Sequence, residues 1–280
     1  MTERSVGIVT DSAASLPPEL AAEHGVAVVP MGLSVAGTGY HDGDLTLDEL
    51  LARLGEGVTT SGPSPGDFAQ AVGRLLPQAE SVLVLTISSS MSSTYSAAHL
   101  AAESFDGAAR VVDTATAAGA EGLVVLAAAQ AARSGDDIDA VEAAARSVID
   151  RVRLVATVNS LDRLVQSGRV PNIAGWAGNR LGVNPLFEFI QGKVKALRPA
   201  FSREAALSRI VATCRDAKPG PGARLHAAAL HALDPEAADL LLAQVTTGER
   251  NPTAFVGSFS PVMVTHTGPG LAGLAWWWDE

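Results

Sequence analysis

The sequence predicts an α/β protein with two domains, and three observations support this fold class. Short apolar segments alternate with helical segments through the first half of the chain. These apolar segments are nearly continuous, which is typical of parallel strands covered on both faces by helices. After residue 152 the pattern changes to alternating runs joined by turn residues, which indicates a mixed sheet. We therefore expect a three-layer α/β/α domain with a parallel sheet over residues 1–152 and a two-layer α/β domain with a mixed sheet over residues 153–280.

The elements of the first half alternate as strands and helices. In chain order they are the strand SVGIVT, the helix LPPELAAEHG, the strand VAVVPMGLSV, the helix TLDELLARLG, a helix after Ser64, the strand SVLVLTI, a helix from Ser92, the strand ARVVD and two alanine-rich helices near residues 116–133 and 138–152. Several helix starts carry chemical signals. Thr46 with Glu49 has the spacing of a capping box, and Ser64 before Pro65 is typical of an N-cap followed by the first helical residue.

The second half is expected to form a mixed sheet with helices on one side. Its elements are the strand RLVATV, short helices to about Leu181, a β-hairpin within PLFEFIQGKVKALRP, a helix from Arg203, the strand RLHAAAL, a helix from Pro235 and the strands TAFVGSF, VMVTH and LAGLAWWW. On the last strand we expect Trp276 to Trp278 to alternate between core and surface.

Composition and charge exclude several classes of function. The 280 residues include 20 basic and 30 acidic side chains, and the net charge of −10 disfavours nucleic acid or an anionic membrane as the main partner. The first residues carry no signal-like apolar run, and the apolar run from Leu123 to Ala129 is too short to span a bilayer. We therefore expect a cytoplasmic protein without integral membrane insertion. Cys214 is the only cysteine, which excludes an intrachain disulfide and favours a buried structural thiol.

Hydroxyl side chains are concentrated where predicted strands end. Thr60 and Ser61 follow one apolar run, and Ser88, Ser89 and Ser92 follow another. Ligands of open parallel sheets bind beyond the carboxyl ends of the strands, and helix N-termini there attract anions. Each residue taken singly is equally explained as an N-cap. Together they predict a site for one small anionic group.

The segment TTSGPSPGDF also matches the G-x-S-x-G pattern of hydrolases at Ser64. In that motif the backbone N–H of the following residue helps to bind the oxyanion. Here that residue is Pro65, which has no N–H, so we interpret Ser64 as an N-cap rather than a nucleophile.

Other motifs limit the choice of cofactor. The chain has no G-x-x-x-x-G-K-[ST] loop, which argues against ATP binding, and the G-x-G-x-x-G match at residues 268–273 lies too near the last residue for a βαβ unit. The histidines have no recognisable ligand spacing, so we expect no metal.

Two further residues are candidates for the anion site. His266 is expected at a strand end before a glycine turn, and a structural histidine is the alternative. Arg169 follows Gly168 in a sharp connection from which its guanidinium reaches the hydroxyl-lined cleft, and a solvated position is the alternative. A serine hydrolase using a cleft serine with His266 and Asp113 is the rival to an anion-binding protein.

Along essentially its whole length the sequence resembles the DegV family, the fatty-acid-binding subunits of bacterial fatty acid kinase. The resemblance rests on the order and spacing of VTDSAASLP, VVPMGLSV, TTSGPSPGDF, ISSSMSSTYSAA, VVDTATAAGAEG, LVQSGRV and THTGPGLAG. The sequence departs from the usual pattern at Ser93, where the family has glycine, and at Gly62, where it often has glutamine.

The resemblance implies a DegV-like two-domain fold with a buried tunnel for one long-chain fatty acid. Its motifs surround the carboxyl group at Thr60, Ser61, Ser88, Ser89, Ser92 and His266, and Arg169 falls on the motif near the cleft mouth. It further implies a protein that is not itself an enzyme and needs no cofactor besides its ligand. Such a protein presents the fatty acid to a separate ATP-binding fatty acid kinase subunit, which forms the acyl phosphate for phospholipid metabolism.

Overall fold

The computed structural model describes residues 4–170, 183–250 and 252–279, which form thirteen strands and ten α-helices. The strands are β1 (Arg4–Asp11), β2 (Val26–Val29), β3 (Gly32–Val35), β4 (Thr38–His41), β5 (Val58–Ser61), β6 (Ala79–Thr86), β7 (Ala109–Asp113), β8 (Arg153–Thr157), β9 (Asn184–Ile190), β10 (Lys193–Ala200), β11 (Arg224–His231), β12 (Thr253–Ser258) and β13 (Ala272–Asp279). The helices are α1 (Pro18–His24), α2 (Leu47–Arg53), α3 (Pro65–Leu75), α4 (Thr94–Ala102), α5 (Ala118–Arg133), α6 (Ile138–Ile149), α7 (Asp162–Ser167), α8 (Arg203–Asp216), α9 (Pro235–Thr246) and α10 (Pro261–Thr267).

The first half contains a four-stranded parallel sheet in the order β2-β1-β6-β7. On one face, Val9 of β1 packs with Phe68 of α3 and Ala98 of α4. On the other face, Ile8 of β1 packs with the residues of α5 and α6. Helices therefore cover both faces of the parallel sheet, and the predicted three-layer α/β/α arrangement with a parallel sheet is confirmed.

A second, antiparallel sheet in the order β4-β3-β5 was not expected from the sequence. The run VAVVPMGLSV, predicted as one strand, is divided into β2 and β3, which belong to different sheets. Pro30 lies at the division and has no N–H to donate to a strand ladder. Ala36 and Gly37 then take positive φ angles of 51° and 82°, as a two-residue hairpin turn requires. This small sheet carries Thr60 on β5, opposite Leu33.

The second half forms a six-stranded mixed sheet in the order β10-β9-β8-β13-β11-β12. Only β11 and β12 pair in parallel within it. Helices α8 and α9 cover one face, and the predicted hairpin is present as β9 and β10. The short helices expected up to Leu181 begin with α7, and their part from residue 171 onward lies outside the described residues.

Helix α5 covers the other face of this sheet and so lies between the two large sheets. Trp276 and Trp278 face α8 and α9, whereas Trp277 faces the α5 side. All three tryptophans are buried, at 1%, 7% and 7% exposure. The expected alternation between core and surface is therefore wrong, because a helix from the first half covers the second face. The division into domains at residues 1–152 and 153–280 stays a prediction.

Two glycines permit the close contact of α5 with its neighbours. A Cβ atom at Gly119 would lie 2.6 Å from the Ala228 Cβ and 2.8 Å from a Leu230 methyl on β11. At Gly122 a Cβ would lie 2.8 Å from the Ala14 carbonyl oxygen. Real Cβ atoms do not approach so closely, so α5 and β11 are in direct contact at Gly119.

Candidate functional site

A cavity of about 220 Å³ lies between β5, the segment before α4, α7 and α10. Five of the candidate residues contribute to its lining, namely Thr60, Ser61, Ser92, Arg169 and His266. Its apolar lining includes Met31, Ile87, Met91, Ala117, Leu164 and Val170. The cavity therefore combines a hydroxyl-rich end with an apolar wall, as an amphipathic ligand requires.

The polar end is built around a contact between Thr60 and His266. The Thr60 Oγ1 atom lies 2.7 Å from the His266 Nε2 atom. Burial, and secondarily the positive charge of Arg169, lower the pKa of His266 to about 4. The imidazole is therefore neutral at pH 7, with one ring nitrogen available as a donor and the other as an acceptor.

His266 lies in helix α10, so the expected strand VMVTH is wrong. The Ser260 hydroxyl caps this helix by accepting from the Met263 N–H, and Pro261 occupies the first helical position. Val262 and Val264 are buried and β-branched, and β-branched side chains favour a strand. Capping and burial together outweigh that propensity, and they place His266 in the last turn of the helix.

Asp42, which no sequence motif singles out, connects α10 to the turn that follows β1. Asp42 accepts a hydrogen bond of 3.2 Å from the Val262 N–H at the start of α10. It also accepts one of 2.6 Å from the Ser12 hydroxyl, and Ser12 in turn accepts from the Met31 N–H. A carboxylate is favoured at a helix N-terminus. In the sequence, the pair Ser260–Pro261 indicates that a helix begins here. It does not indicate which carboxylate lies at the N-terminus of that helix.

Ser92 reaches the cavity from the turn that precedes α4. Its hydroxyl lies 2.7 Å from the Thr94 Oγ1 and accepts from the Thr94 N–H. A Cβ at Gly62 would lie 2.6 Å from the Thr94 Oγ1. The close packing of the two loops therefore accounts for glycine at residue 62.

Ser88 and Ser89 do not line the cavity. Ser88 is buried, its hydroxyl lies 2.8 Å from that of Ser90, and its carbonyl accepts from the N–H groups of Met91 and Ser92. Ser89 is exposed, and its N–H donates to the Asp113 carboxylate at 3.2 Å. The two serines thus belong to the loop that holds Ser92 in position.

Arg169 is exposed beside the cavity. Its backbone N–H donates to the Ser167 hydroxyl at 3.2 Å, and its guanidinium donates to the Ser167 carbonyl at 2.6 Å. Gly168, with a φ of 67°, ends α7 and allows this turn. The guanidinium places a positive charge near His266 without an ion pair among the described residues.

Two buried carboxyl groups lie behind the site. Asp11 accepts from the N–H groups of Ala13 and Ile87, and burial raises its pKa to about 6. Glu121 on α5 accepts from the Thr10 hydroxyl at 3.2 Å, and burial together with the charge of Asp11 raises its pKa well above the usual range. Because Ile87 lines the cavity, Asp11 fixes part of its apolar wall.

The described contacts do not assemble the triad of the hydrolase hypothesis. His266 contacts a threonine, and Asp113 accepts from the N–H groups of Ser89 and Ala115.

Among residues 4–170, 183–250 and 252–279, no group of three His, Cys, Asp or Glu side chains is placed to hold a metal ion. Nor does any helix in these ranges have the length and apolar character of a bilayer-spanning segment.

Comparison with known proteins relates this geometry to a family. A DegV domain-containing protein of Mycobacterium tuberculosis is 32% identical, with 96% of each chain covered. The solved structure of a DegV family protein from Thermus thermophilus is described as showing fatty acid binding. That protein is 32% identical to this chain and superposes with a TM-score of 0.90 over 98% of this chain and 99% of the other. A Thermotoga maritima protein described as revealing a fatty acid binding function is 25% identical, with a TM-score of 0.84 over 98% and 99%.

The family model described as "Uncharacterised protein, DegV family" matches residues 5–278, which is nearly the full chain. The α/β fold with one parallel and one mixed sheet agrees with the solved structures above. The chain therefore belongs to the DegV family.

Proposed function

We propose that this protein binds one long-chain fatty acid and presents its carboxyl group to a separate ATP-dependent fatty acid kinase. The carboxyl group lies at the polar end of the 220 Å³ cavity, near Thr60, Ser92 and His266. The observation that carries the proposal is the Thr60–His266 contact at the end of an otherwise largely apolar cavity. The fatty acid binding described for the 32% identical Thermus thermophilus protein supports the same ligand class.

The hydroxyl and imidazole groups suit a carboxylate. When His266 carries its proton on Nε2, it donates to Thr60 Oγ1, and the Thr60 hydroxyl proton is then free for the ligand. Ser92 offers a second hydroxyl, and Ser61 lies at the exposed rim. Hydrogen bonds to a charged group contribute about 1.5–3 kcal/mol each, so a few donors suffice without a lysine.

Ser88 and Ser89 enter this proposal through the loop they stabilise. The Ser88 carbonyl accepts from the Ser92 N–H at 3.2 Å, so it fixes the backbone that carries the Ser92 hydroxyl. Ser89 holds the same loop to Asp113. Their role is to position Ser92 at the carboxyl group.

The apolar residues of the cavity receive the first part of the acyl chain. The volume of about 220 Å³ is below the roughly 300–1,000 Å³ typical of pockets for drug-sized ligands. A long acyl chain therefore extends beyond the volume of this cavity.

The proposed kinase step needs no catalytic residue and no cofactor from this chain. The fatty acid carboxylate attacks the γ-phosphoryl group of ATP held by the kinase, which forms the acyl phosphate and releases ADP. Arg169 is exposed beside the cavity. It supplies a positive charge where the γ-phosphoryl group of ATP meets the fatty acid carboxylate. We place this function in the cytoplasm, where ATP is available.

The decisive experiment is identification of a co-purified lipid. The protein is expressed in a heterologous host, and its mass is measured by native and by denaturing mass spectrometry. Lipids that co-purify with it are then extracted and identified. We expect roughly one non-covalent fatty acid per chain, lost on denaturation. A chain mass without releasable lipid, together with no uptake of added palmitate or oleate, would exclude the proposed function. A covalent adduct with a fluorophosphonate would instead favour the serine hydrolase.

A further inference from the structure

The methionines inside the chain all lie in the wall of the hydroxyl-lined cavity. The sequence contains four methionines, of which Met1 is the first residue. The other three are Met31, Met91 and Met263, and each of them lines the cavity. They come from three distant parts of the sequence, so local composition does not explain why they meet. Their shared position indicates a role that belongs to the cavity.

Filling gaps in the core is the other common use of methionine. This protein packs its remote cores without it. The cluster under α3 and α4 and the cluster under α8 and α9 consist of alanine, valine, leucine, isoleucine, cysteine and aromatic side chains. General gap filling therefore does not account for the three methionines of the cavity.

The three methionines lie close to the polar end of the cavity. Met91 directly precedes Ser92 in the sequence. Met263 lies three residues before His266 on α10, so the two side chains share one side of that helix. Met31 immediately precedes β3, the strand that pairs with β5. Under the proposed function, the methionines are therefore beside the first carbons of the acyl chain.

Hydrogen bonds fix the backbone of this part of the wall. The Met31 N–H donates to the Ser12 hydroxyl at 3.1 Å, and the Met31 carbonyl accepts from the Asp42 N–H at 2.8 Å. The Met91 N–H donates to the Ser88 carbonyl at 2.9 Å. The third methionine belongs to the capped helix α10. Changes in the shape of this wall therefore come from its side chains.

The side chains of the wall differ in their freedom to rotate. Ile87, Val170 and Val262 are β-branched, which restricts their first side-chain torsion. A methionine side chain is unbranched and has three rotatable bonds. Binding surfaces that accept varied partners use methionine because it can re-pack. The methionines are therefore the part of the wall that adapts to the shape of a ligand.

We propose that the three methionines set the range of acyl shapes that the site accepts, so that it binds long-chain acids bent near the carboxyl group about as well as straight ones. This inference rests on the proposed function and extends it to a broader class of ligand. A cis double bond bends an acyl chain. When the bend lies near the carboxyl group, the methionine side chains rotate away from it, and they fill the same space when the chain is straight.

The test compares stearate with cis-6-octadecenoate, which has the same length but is bent near its carboxyl group. Protein freed of co-purified lipid is titrated with each acid by displacement of a fluorescent fatty acid. We expect the wild type to bind the two acids with affinities within about threefold of each other. In the triple variant Met31→Leu, Met91→Leu, Met263→Leu, stearate affinity should stay within about threefold, because leucine and methionine have similar volumes. Affinity for the bent acid should fall about tenfold or more, because the branched side chain adapts less well.

Two single variants and a control keep the result clear if the triple variant folds poorly. Met91→Leu and Met263→Leu change half-buried positions, and each should lower the affinity for the bent acid about threefold relative to stearate. Leu241→Met is the control, because it makes the reverse exchange in the core under α9, remote from the cavity. It should leave the ratio of the two affinities unchanged.

The outcomes separate this inference from the proposed function. A wild-type preference for stearate of about tenfold or more would overturn the inference alone, since a fatty acid would still bind. An affinity ratio that is the same in the wild type and in all the methionine variants would also overturn it. Binding of neither acid to the wild type would disprove the proposed function, and the inference with it.

Discussion

Thr60 Oγ1 lies 2.7 Å from His266 Nε2, although 206 residues separate them in the sequence. Thr60 comes from a small antiparallel sheet and His266 from helix α10. The polar end of the cavity therefore exists only when the two halves of the chain are assembled.

Replacing Thr60 with valine should weaken fatty acid binding by about tenfold or more, because it removes a donor to a charged group worth about 1.5–3 kcal/mol. Valine has nearly the same shape, so the β5 strand should remain folded. The measurement is the affinity for a fluorescent fatty acid, with thermal unfolding as a check. Thr59→Val is the matched control, since Thr59 is exposed on the same strand and does not line the cavity. Equal losses of fatty acid affinity in both variants would show that the carboxyl group does not bind at Thr60.

His266→Gln should impair transfer to a kinase more than it impairs lipid binding. A glutamine amide replaces a neutral imidazole as donor or acceptor, so some binding remains. The polarity beside the carboxyl group matters most when its oxygen attacks phosphorus and charge is redistributed. Acyl-phosphate formation with a cognate kinase and ATP is compared with lipid affinity for the same variant. Equal losses of acyl-phosphate formation and of lipid affinity would show that His266 contributes to binding alone.

Glu121→Gln should gain stability relative to the wild type as pH rises above 4.5, the ordinary pKa of a glutamate. Burial raises the pKa of Glu121 in the folded protein well above its usual value. A raised pKa means that the native state binds this proton more tightly than the unfolded state. Its contribution to stability is therefore present at low pH and is lost as pH rises toward the folded pKa. Glutamine does not titrate, so the loss is absent from the variant.

The measurement is the guanidinium chloride concentration at the midpoint of unfolding, compared between the wild type and Glu121→Gln at several pH values. Glu103→Gln serves as the control, because Glu103 is exposed, and its difference from the wild type should not vary with pH in the same way. A pH-independent difference for Glu121→Gln would contradict the raised pKa.

Gly119→Ala should destabilise the protein by about 1–3 kcal/mol, because the added methyl collides with Ala228 and Leu230 on β11. Gly73→Ala is the matched control within helix α3, where no atom lies within 4 Å of the added Cβ. There alanine should stabilise by up to about 1 kcal/mol through helix propensity. Opposite signs of the two changes in unfolding free energy are expected, and equal signs would show that α5 can move away from β11.

The sequence predicts the parallel strands and α5 because their patterns are local. Continuous apolar runs such as SVLVLTI have few structural alternatives, and capping signals at Thr46 and Ser64 mark helix starts that the structure confirms. The sequence identifies the hydroxyl residues for the same reason, since their motifs lie at the ends of these elements.

Features set by distant contacts were not predictable in this way. Helix α10 contains β-branched residues and becomes helical through its Ser260 cap and its burial. The cover over Trp277 comes from α5, more than a hundred residues earlier in the chain. The Trp277 indole N–H has no hydrogen-bond partner among the described residues, and no sequence signal predicts this, because it depends on how the neighbouring strands and helices pack.

The position of α5 between the two large sheets has a consequence for synthesis on the ribosome. The central strand β13 begins only at Ala272, whereas its partner β8 already ends at Thr157. At about 5–20 residues per second, the nascent chain spends on the order of ten seconds with one apolar side of α5 uncovered. During that interval the uncovered side of α5 is open to non-native association, so we expect slow codons between β8 and β13 to lower the yield of native protein.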